Sequence, residues 1–357
     1  VTLLSVASAQ TVQPDLVPKP APVTAPQANT PPVTSAQPQG GHALTAVDAN
    51  AWLDGFMPIA IGKANIPGAV VVVVKDGQLL TSRGYGFANV AKQARVDPAT
   101  TMFRPGSISK LFTWTAVMQQ VQAGKLNLDE DVNKYIDFRI PPRDGKPITL
   151  CNIMTHTSGF EEQVKNIIFK DEKKLVPLGE HLSNWVPKRV YAPGSTPAYS
   201  NYATALAGYI VQRVSGEEFG AYIDRHIFAP LGMQHATFHQ PLPAKFKPFV
   251  AEGYQDGKDD PFGYEYIGPA PAGSLAASGD DMAKFMIAHL PNGGPLLNPA
   301  TAQLMHATAN DPIPGLQKMS LGFYQTNING RRVISHGGDT VAFHSDLHLF
   351  LHDGVGI

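Results

Sequence analysis

The sequence predicts an α+β fold, in which one antiparallel sheet is flanked by helices and an inserted region is mainly helical. Strand-like segments occur near both ends of the folding region, and helical periodicity fills the residues between them. The simplest assembly pairs the early strands with the late strands in a single sheet. We therefore expect one domain from 45 to 357, with a sheet subdomain at about 45–106 and 315–357 and a helical subdomain at about 107–314.

The early strands are predicted by a hairpin signal. An unbroken apolar run, Ala69 to Val74, is followed by Asp76-Gly77 and then by strand-like residues from Leu79 onwards. An Asp-Gly pair between two such runs is typical of a tight two-residue turn. Upstream, a short amphipathic helix is indicated by four apolar residues, Val47, Trp52, Leu53 and Phe56.

Three helices are predicted in the middle of the chain. Apolar residues recur at helical spacing from Ser107 to Ala123, and Gly124 follows where a helix would end. Ser107 therefore lies at a helix start. A second periodic segment runs from Asn201 to Val214 and ends at Ser215-Gly216, and Ser278 opens a third helix with a capping-box-like S-x-x-D.

The late strands are indicated by patterning at Gly322 to Tyr324, Arg331 to Ser335 and Phe343 to Leu351. Asp353-Gly354 then resembles a second hairpin turn, and only Val355-Gly356-Ile357 follows it. The strand that this turn would introduce is therefore expected to be missing, and we expect the chain to be truncated at its C-terminus.

The first 44 residues are expected to lie outside the folded domain. Residues 1–9 are apolar and then small, and Ala7-Ser8-Ala9 matches the A-x-A pattern before a signal-peptidase cleavage site, so we interpret them as a signal-peptide remnant. Residues 10–44 are rich in Pro, Ala, Thr, Val and Gln and are expected to form a disordered linker. The export signal predicts a secreted or periplasmic protein.

Composition argues against several functional classes. Lys+Arg of 28 against Asp+Glu of 29 gives a net charge of -1, which provides no attraction for nucleic acid or an anionic membrane. No segment after the leader reaches the ~18 apolar residues that span a bilayer. Cys151 is the single cysteine, so neither an intrachain disulfide nor a cysteine metal cluster can form. A small-molecule or peptidyl substrate fits better, no cofactor is indicated, and nothing predicts the oligomeric state.

The first candidate catalytic pair is Ser107 and Lys110, in an S-x-x-K pattern. A serine in the first turn of a helix lies beside free backbone N–H groups, and a lysine three residues later projects from the same face. When such a lysine is desolvated beside the hydroxyl, it becomes neutral enough to accept the hydroxyl proton. Taken alone the pattern is weak, because an N-cap serine with a solvated lysine has the same sequence.

Two further segments supply the remaining roles in acyl transfer. Tyr199-Ser200-Asn201 brings a phenol that relays a proton to a leaving group and an amide that holds the lysine and a substrate carbonyl. His336-Gly337-Gly338 brings two glycines at a strand edge, where a substrate backbone approaches closely, and leaves the N–H of Asp339 to point at an oxyanion. Alone, each also has a structural interpretation, as a helix entry and as a hairpin glycine pair beside a histidine.

Together the three motifs resemble those of the β-lactamase-related serine hydrolases, which include class C β-lactamases, D,D-carboxypeptidases and esterases of similar sequence. The motifs of that family are S-x-x-K, Y-x-N and a third of the K-T-G or H-x-G form. The similarity covers about residues 47–357, including the segments IPGAVVVVVKDG, FRPGSISK, IMTHTSGF, PGSTPAYSNYATALAGYIV and PAGSLAASGDDMAKFM. It implies a β-lactamase/transpeptidase-like fold.

The resemblance also implies roles for individual residues. Ser107 is the expected nucleophile, Lys110 its base, and Tyr199 the group that protonates the leaving group and activates water for deacylation. The residues expected to bind substrate are Asn201, His336, Gly337 and Gly338, with the histidine hydrogen-bonding near the tyrosine and the far end of the substrate. The backbone N–H groups of Ser107 and Asp339 are expected to form the oxyanion hole, and no metal is implied.

The third motif departs from the β-lactamase form, because His336 replaces lysine. A lysine there attracts the carboxylate of a β-lactam, whereas a histidine at pH 7 is mostly neutral. The difference favours an esterase-like or peptidase-like member over an efficient β-lactamase.

Other interpretations of the motifs are less favoured. A metal hydrolase is suggested by the even spacing of His344, Asp346, His348 and His352, but residues four apart on a straight strand lie about 13 Å apart, too far for one ion. A non-catalytic or slowly deacylating penicillin-binding sensor is the alternative function. An α/β-hydrolase is disfavoured, because no G-x-S-x-G elbow occurs.

An aromatic-rich segment between residues 246 and 266 has two interpretations. Its rings either wall a substrate cleft or form a satellite core under a long loop. The residues in question are Phe249, Tyr254, Phe262, Tyr264 and Tyr266.

Overall fold

The structure is a computed structural model that describes residues 43–255, 260–290, 294–309, 313 and 315–357. The expected signal-peptide remnant at 1–9 and the expected linker up to residue 42 lie outside the described residues. From Leu44 to Ile357 the chain forms one compact unit. The finer division into a sheet subdomain and a helical subdomain stays a prediction.

An antiparallel sheet of eight strands is the largest sheet that the described residues form. In chain order the strands are β1 (Gly68–Lys75), β2 (Gln78–Asn89), β3 (Ala94–Arg95), β4 (Met102–Phe103), β5 (Ile168–Phe169), β6 (Ala236–Thr237), β7 (Tyr266–Ile267), β8 (Ala276–Ser278), β9 (Lys318–Met319), β10 (Tyr324–Ile328), β11 (Arg331–Asp339), β12 (His344–Phe350) and β13 (Val355–Gly356). The large sheet has the order β3-β2-β1-β13-β12-β11-β10-β9, and two small sheets have the orders β4-β8-β6 and β5-β7.

This order confirms that the early and late strands share one sheet. The strand β13 lies between β1 and β12 and pairs with both, through Val355 and Gly356. A two-residue strand therefore follows Asp353-Gly354, and the expected truncation at the C-terminus stays a prediction. Two residues are enough to join the two halves of the sheet.

The β1-β2 hairpin turns at Asp76 and Gly77, as predicted. Both residues have positive φ, 51° and 78°, and Lys75 pairs with Gln78 across the turn. Asp and Gly adopt this left-handed backbone more readily than most residues, and a turn built from it matches the twist of the flanking strands. The dipeptide therefore determines the hairpin register.

The helix α2 lies at the centre of the core. The helices of the described residues are α1 (Ala46–Lys63), α2 (Ser109–Gln122), α3 (Leu150–Met154), α4 (Leu178–Ser183), α5 (Asn201–Ser215), α6 (Phe219–Ile223), α7 (Ala229–Leu231), α8 (Gly279–His289) and α9 (Pro299–His306). Every residue of α2 from Ser109 to Met118 is buried. A helix that is covered on all sides is a core element, so its N-terminus is a rigid place for a reactive group.

The helices α5 and α8 begin where their sequence signals predict. Ser200 caps α5 by accepting a hydrogen bond from the Ala203 N–H at 3.1 Å, and Ser278 caps α8 through the Asp281 N–H at 3.3 Å. The helix α8 packs against β1 of the large sheet, although it lies within the range expected to be the helical subdomain. None of the helices in the described part of the chain has the length and apolar character of a membrane span.

The strand β10 begins at Tyr324, two residues later than the sequence pattern indicates. Gly322 has a φ of 92°, which is not extended backbone, and a Cβ at that position would overlap the ring of Trp114. Phe323 is fully buried. The apolar character of these two positions therefore reflects packing next to α2 and not strand pairing.

Candidate active site

Ser107 lies in a 3-10 turn, Gly106–Ile108, that leads directly into α2. The turn is closed by the Ser109 hydroxyl, which donates to the Gly106 carbonyl at 2.6 Å. The same hydroxyl accepts a hydrogen bond from the Leu275 N–H at 3.2 Å, so a second segment of the chain holds the turn in place. Ser107 is only partly buried, which leaves its hydroxyl accessible to a substrate.

Lys110 points at Ser107 from one turn further along α2. Its Nζ lies 2.9 Å from Ser107 Oγ, 2.7 Å from Asn201 Oδ1 and 2.7 Å from the Ala272 carbonyl oxygen. The side chain is fully buried. Burial disfavours the charged amine and lowers the pKa of Lys110 to about 7, and the nearby Glu162 carboxylate opposes that shift.

Tyr199 reaches Ser107 from a distant part of the chain. Its hydroxyl donates to Ser107 Oγ at 2.6 Å, and Lys110 Nζ lies 4.8 Å from the centre of its ring. Burial raises the pKa of the Tyr199 phenol, so the group keeps its proton at neutral pH. The predicted nucleophile, base and phenol are thus in mutual contact.

The loop before α5 fixes Tyr199. The Ala198 N–H donates to the His156 carbonyl oxygen at 2.7 Å, and the His156 ring lies 4.6 Å from the Tyr199 ring, centre to centre. Both ring nitrogens of His156 are buried without a hydrogen-bond partner among the described residues, and burial lowers the pKa of this histidine well below its usual value. His156 is therefore a neutral ring that supports the phenol.

Glu162 holds Asn201, and sequence reasoning missed it. One carboxylate oxygen accepts from the Asn201 backbone N–H and the other from its Nδ2, each at 2.9 Å. These bonds orient the amide so that its Oδ1 faces Lys110. The only sequence signal is an acidic pair, Glu161-Glu162, directly after the IMTHTSGF segment.

The third motif lies on β11, against the turn that carries Ser107. Gly338 is buried, and a Cβ there would overlap the carbonyl oxygen of Pro105, whereas Gly337 is exposed. The Ser345 hydroxyl donates to the same Pro105 oxygen at 2.8 Å. The close approach that was predicted for a substrate is therefore made, at Gly338, by the chain itself, and Gly337 is the glycine left open to a ligand.

The backbone of Asp339 lies beside the turn of Ser107. A Cβ built on Gly106, whose φ is 52°, would lie 2.8 Å from the Asp339 nitrogen. The turn after β11 is held by the buried Glu265, which accepts from the Thr340 hydroxyl at 2.7 Å and from the Val341 N–H at 2.6 Å. Glu265, which the sequence did not indicate, thus positions the end of this strand.

His336 is brought near the site but is buried, with 2% of its surface exposed. Its Nδ1 lies 2.6 Å from the Gly337 carbonyl oxygen, and Tyr324 packs edge-on against its ring. In the part of the chain that the structure describes, its Nε2 has no hydrogen-bond partner. Burial and the neighbouring Lys110 lower the pKa of His336 to about 4. The substrate-binding role of this histidine stays a prediction, and its neutrality at pH 7 has a clear cause.

The evenly spaced histidines of β12 have ordinary surroundings. His344 Nδ1 lies 2.6 Å from a carboxylate oxygen of Asp339. The alternating Leu347 and Leu349 are buried on the opposite face of the strand. The described residues contain no group of three or more side chains placed to hold a metal ion.

The five aromatic residues between 246 and 266 lie in different surroundings. Phe249 packs on the small cluster of Met102, Phe246 and Ala276, as the satellite-core interpretation predicts. Tyr264 lies under the guanidinium of the buried Arg104, 4.5 Å from ring centre to carbon. The remaining three contact polar or charged groups: the Tyr254 hydroxyl accepts from the Val90 N–H, Phe262 lies against Lys170, and the Tyr266 hydroxyl donates to Glu172.

Proteins of similar sequence indicate the family of this chain. A family model described as Beta-lactamase matches residues 49–348. A Beta-lactamase of Yersinia enterocolitica is 29% identical over 307 residues, which cover 84% of this chain and 75% of that protein. Protein flp of Staphylococcus aureus (strain MW2) is 30% identical over 234 residues, covering 63% of this chain and 43% of that protein. The chain thus spans less than half the length of the flp proteins that it matches.

Solved structures share the fold. A class C beta-lactamase superposes with a TM-score of 0.71 at 23% identity, covering 89% of this chain and 92% of that chain. A D-alanine carboxypeptidase from Burkholderia cenocepacia gives a TM-score of 0.70 at 22% identity, covering 87% and 93%. The octameric penicillin-binding protein homologue from Pyrococcus abyssi gives 0.72 at 23% identity, covering 86% and 72%. These likenesses confirm the predicted α+β fold.

The family match extends over nearly the whole described domain. It includes all three motifs, from Ser107 and Lys110 through Tyr199 to His336. The chain therefore belongs to the beta-lactamase family of serine hydrolases.

Proposed function

We propose that this protein hydrolyses an ester or amide through an acyl-enzyme formed on Ser107. The observation that carries the proposal is the double contact of Ser107 Oγ, 2.9 Å from Lys110 Nζ and 2.6 Å from the Tyr199 hydroxyl. A nucleophile needs a base within hydrogen-bonding distance, and its leaving group needs a proton donor. Both groups meet here at one oxygen atom.

The hydrogen-bond donors and acceptors of Lys110 support this assignment. A neutral Lys110 has two N–H donors, for Asn201 Oδ1 and the Ala272 carbonyl, and one lone pair that accepts the Ser107 proton. As Ser107 Oγ bonds to the substrate carbonyl carbon, that proton passes to Lys110. Tyr199 protonates the departing alkoxide or amine and regains a proton from the lysine. Water then gives a proton to the same pair of groups, Tyr199 and Lys110, and attacks the acyl carbon. Ser107 Oγ leaves with a proton, and the free acid is released.

The negative oxygen of the tetrahedral intermediate needs donors that are already in place. We assign this role to the backbone N–H groups of Ser107 and Asp339. The support is the close approach of the Gly106 and Asp339 backbones, which brings the two segments together beside the Ser107 turn. Gly337, exposed beside them, leaves room for a substrate along the strand edge.

For the substrate class, we propose an esterase-like or D,D-peptidase-like activity over efficient β-lactam hydrolysis. A β-lactam carries a carboxylate that a lysine in the third motif would attract, and His336 offers no such charge because burial lowers its pKa to about 4. The names of similar proteins include both a beta-lactamase and a D-alanine carboxypeptidase. An ester, a D-Ala-D-Ala peptide and a β-lactam therefore all belong in the test.

The test is a parallel turnover assay with a D-Ala-D-Ala peptide, a cephalosporin and a short-chain nitrophenyl ester. Ser107→Ala is the control, and we expect it to abolish every activity. We expect ester turnover to exceed cephalosporin turnover in the wild-type protein. Dominant cephalosporin turnover would refute the inference from His336, and equal turnover by Ser107→Ala would refute the nucleophile.

The alternative function, a slowly deacylating sensor, gives a different result in the same assay. A fluorescent penicillin or an activated ester would label Ser107 with one equivalent, and no product would accumulate. Mass spectrometry of the intact protein distinguishes this outcome from turnover.

We also propose that the protein acts outside the cytoplasm, on the support of the A-x-A pattern at Ala7-Ser8-Ala9 alone.

A further inference from the structure

Glu162 is an exposed residue whose carboxylate is linked to the reacting serine by a chain of hydrogen bonds. It is connected to Ser107 through only two side chains, Asn201 and Lys110, by hydrogen bonds of 2.9, 2.7 and 2.9 Å. The Glu162 residue is nevertheless exposed. Glu162 is therefore an exposed residue within three hydrogen bonds of the nucleophile.

Glu162 has unused capacity to bind a donor. Each of its two oxygens accepts one hydrogen bond from Asn201, and each carboxylate oxygen offers two acceptor positions. Both bonds are ones that an ionised carboxylate accepts. Burial raises the pKa of Glu162, and the hydrogen bonds from Asn201 and the charge of Lys110 oppose that shift. A protonated amine is the donor that such a carboxylate binds most strongly.

The other charges around the site favour the same kind of ligand. Glu162 and Asp339 are both close enough to Tyr199 for their negative charges to raise the pKa of its phenol. His336, where β-lactamase sequences carry lysine, is neutral. Lys110 is largely uncharged above a pH of about 7. A carboxylate on the substrate therefore meets like charges, whereas an ammonium group meets opposite ones.

The position of Tyr199 decides which part of the substrate carries the amine. The leaving group must lie beside the Tyr199 hydroxyl to receive its proton. The acyl part of the substrate would then lie beside the Asn201 amide, which is bonded to the Glu162 carboxylate. An amine a few bonds from the scissile carbonyl would be within reach of Glu162.

We propose that Glu162 forms a subsite for a protonated amine in the acyl part of the substrate, so that aminoacyl esters and amides are preferred to their neutral and anionic counterparts. This inference rests on the proposed hydrolysis at Ser107. It goes further by assigning a substrate charge and a residue that recognises it. The scissile chemistry is unchanged: the alcohol leaves with a proton from Tyr199, and water releases the amino acid.

The test uses three ethyl esters that differ only at the amine. Alanine ethyl ester, its N-acetyl derivative and its N-succinyl derivative place a cation, a neutral amide and an anion at one position, and each is assayed as D and L enantiomers at neutral pH. We expect kcat/KM for the free amine to exceed that of the acetyl ester by about tenfold or more, as for one charge-assisted hydrogen bond. The succinyl ester should be the poorest of the three.

Two variants identify the residue responsible. Glu162→Gln keeps the size of the side chain but removes its charge, and should reduce the preference for the free amine to within about twofold. Glu130→Gln removes a surface carboxylate that pairs with Lys134 and should leave the preference intact. Turnover of the acetyl ester by Glu162→Gln shows that the variant is folded, and the wild-type order of the three esters tests the proposal without any variant.

The outcomes separate this proposal from the function on which it rests. If no ester is hydrolysed and Ser107 is not acylated, the proposed function fails. If the acetyl ester is hydrolysed through Ser107 but the free amine is not preferred, only the amine subsite is overturned. A preference for the free amine that persists in Glu162→Gln also overturns the assignment to Glu162.

Discussion

Gly338 of β11 lies so close to the carbonyl oxygen of Pro105 that no side chain fits between them. The contact joins the strand β11 of the large sheet to the turn that presents Ser107. It thereby sets the distance between the nucleophile and the Asp339 N–H, which come from opposite ends of the domain. The geometry of the proposed oxyanion hole depends on this contact between two backbones.

Gly338→Ala should therefore be strongly destabilising and inactive. The added methyl group meets backbone that cannot move aside, and overpacking of this kind costs about 3 kcal/mol. Gly337→Ala is the matched control for stability, because a Cβ there meets Asp346 Oδ1 at 3.2 Å, which can rotate away, and the Ser345 carbonyl oxygen at an ordinary 3.9 Å. Urea unfolding measures the stability of both variants, and acylation of Ser107 measures the activity of Gly338→Ala. Equal losses of stability in the two variants would contradict the role given to the Pro105 contact.

The activity should rise with pH through a value of about 7. Lys110 must be neutral to accept the Ser107 proton, and its pKa is lowered to about 7 by burial, so the active form is lost below that pH. Glu162 raises this pKa, and Glu162→Gln should therefore move the acidic limb to lower pH. The measurement is kcat/KM for a neutral ester from about pH 5 to pH 9. A limb that moves to higher pH would contradict the electrostatic coupling.

Tyr199→Phe should affect poor leaving groups far more than good ones. Ethoxide needs the proton that Tyr199 donates, whereas nitrophenolate leaves without one, so kcat/KM should fall about 100-fold or more for an ethyl ester and less than about tenfold for a nitrophenyl ester. Tyr209→Phe is the control, since that hydroxyl bonds to Asp137 and not to Ser107. An equal loss on both esters would indicate that Tyr199 acts only in packing.

Much of this site could be predicted because its signals are local. The Asp76-Gly77 turn fixes the β1-β2 register through backbone preferences. The S-x-x-K spacing alone places Ser107 and Lys110 on one helical turn. The Y-x-N spacing likewise puts Tyr199 just before a capped helix and Asn201 at its first position. In each case the chemistry and the geometry come from neighbouring residues.

The parts that could not be predicted depend on contacts between distant segments. Nothing in the sequence distinguishes Glu162 from Glu161, yet only Glu162 holds Asn201, 39 residues away. A backbone acceptor such as the Ala272 carbonyl has no side-chain signature. The glycine at 338 is recognisable as special, but whether a substrate or the chain itself fills the space depends on the tertiary fold.

The buried histidines should make the fold sensitive to acid. His306 packs beside His289, with ring nitrogens 3.1 Å apart, and burial lowers its pKa from 6.5 to about 4. The unfolded chain therefore takes up a proton below pH 6.5 that the folded state refuses, so stability is complete above 6.5 and is lost as pH falls towards 4.

For His306 alone the loss at pH 5 is about 2 kcal/mol, and His306→Gln should remove this part of the pH dependence. His352→Gln, on an exposed residue, should leave it unchanged. Urea unfolding at pH 7 and pH 5 measures the difference for each variant. Identical acid sensitivity in His306→Gln and the wild-type protein would mean that the folded state protonates this histidine without cost, contrary to its burial.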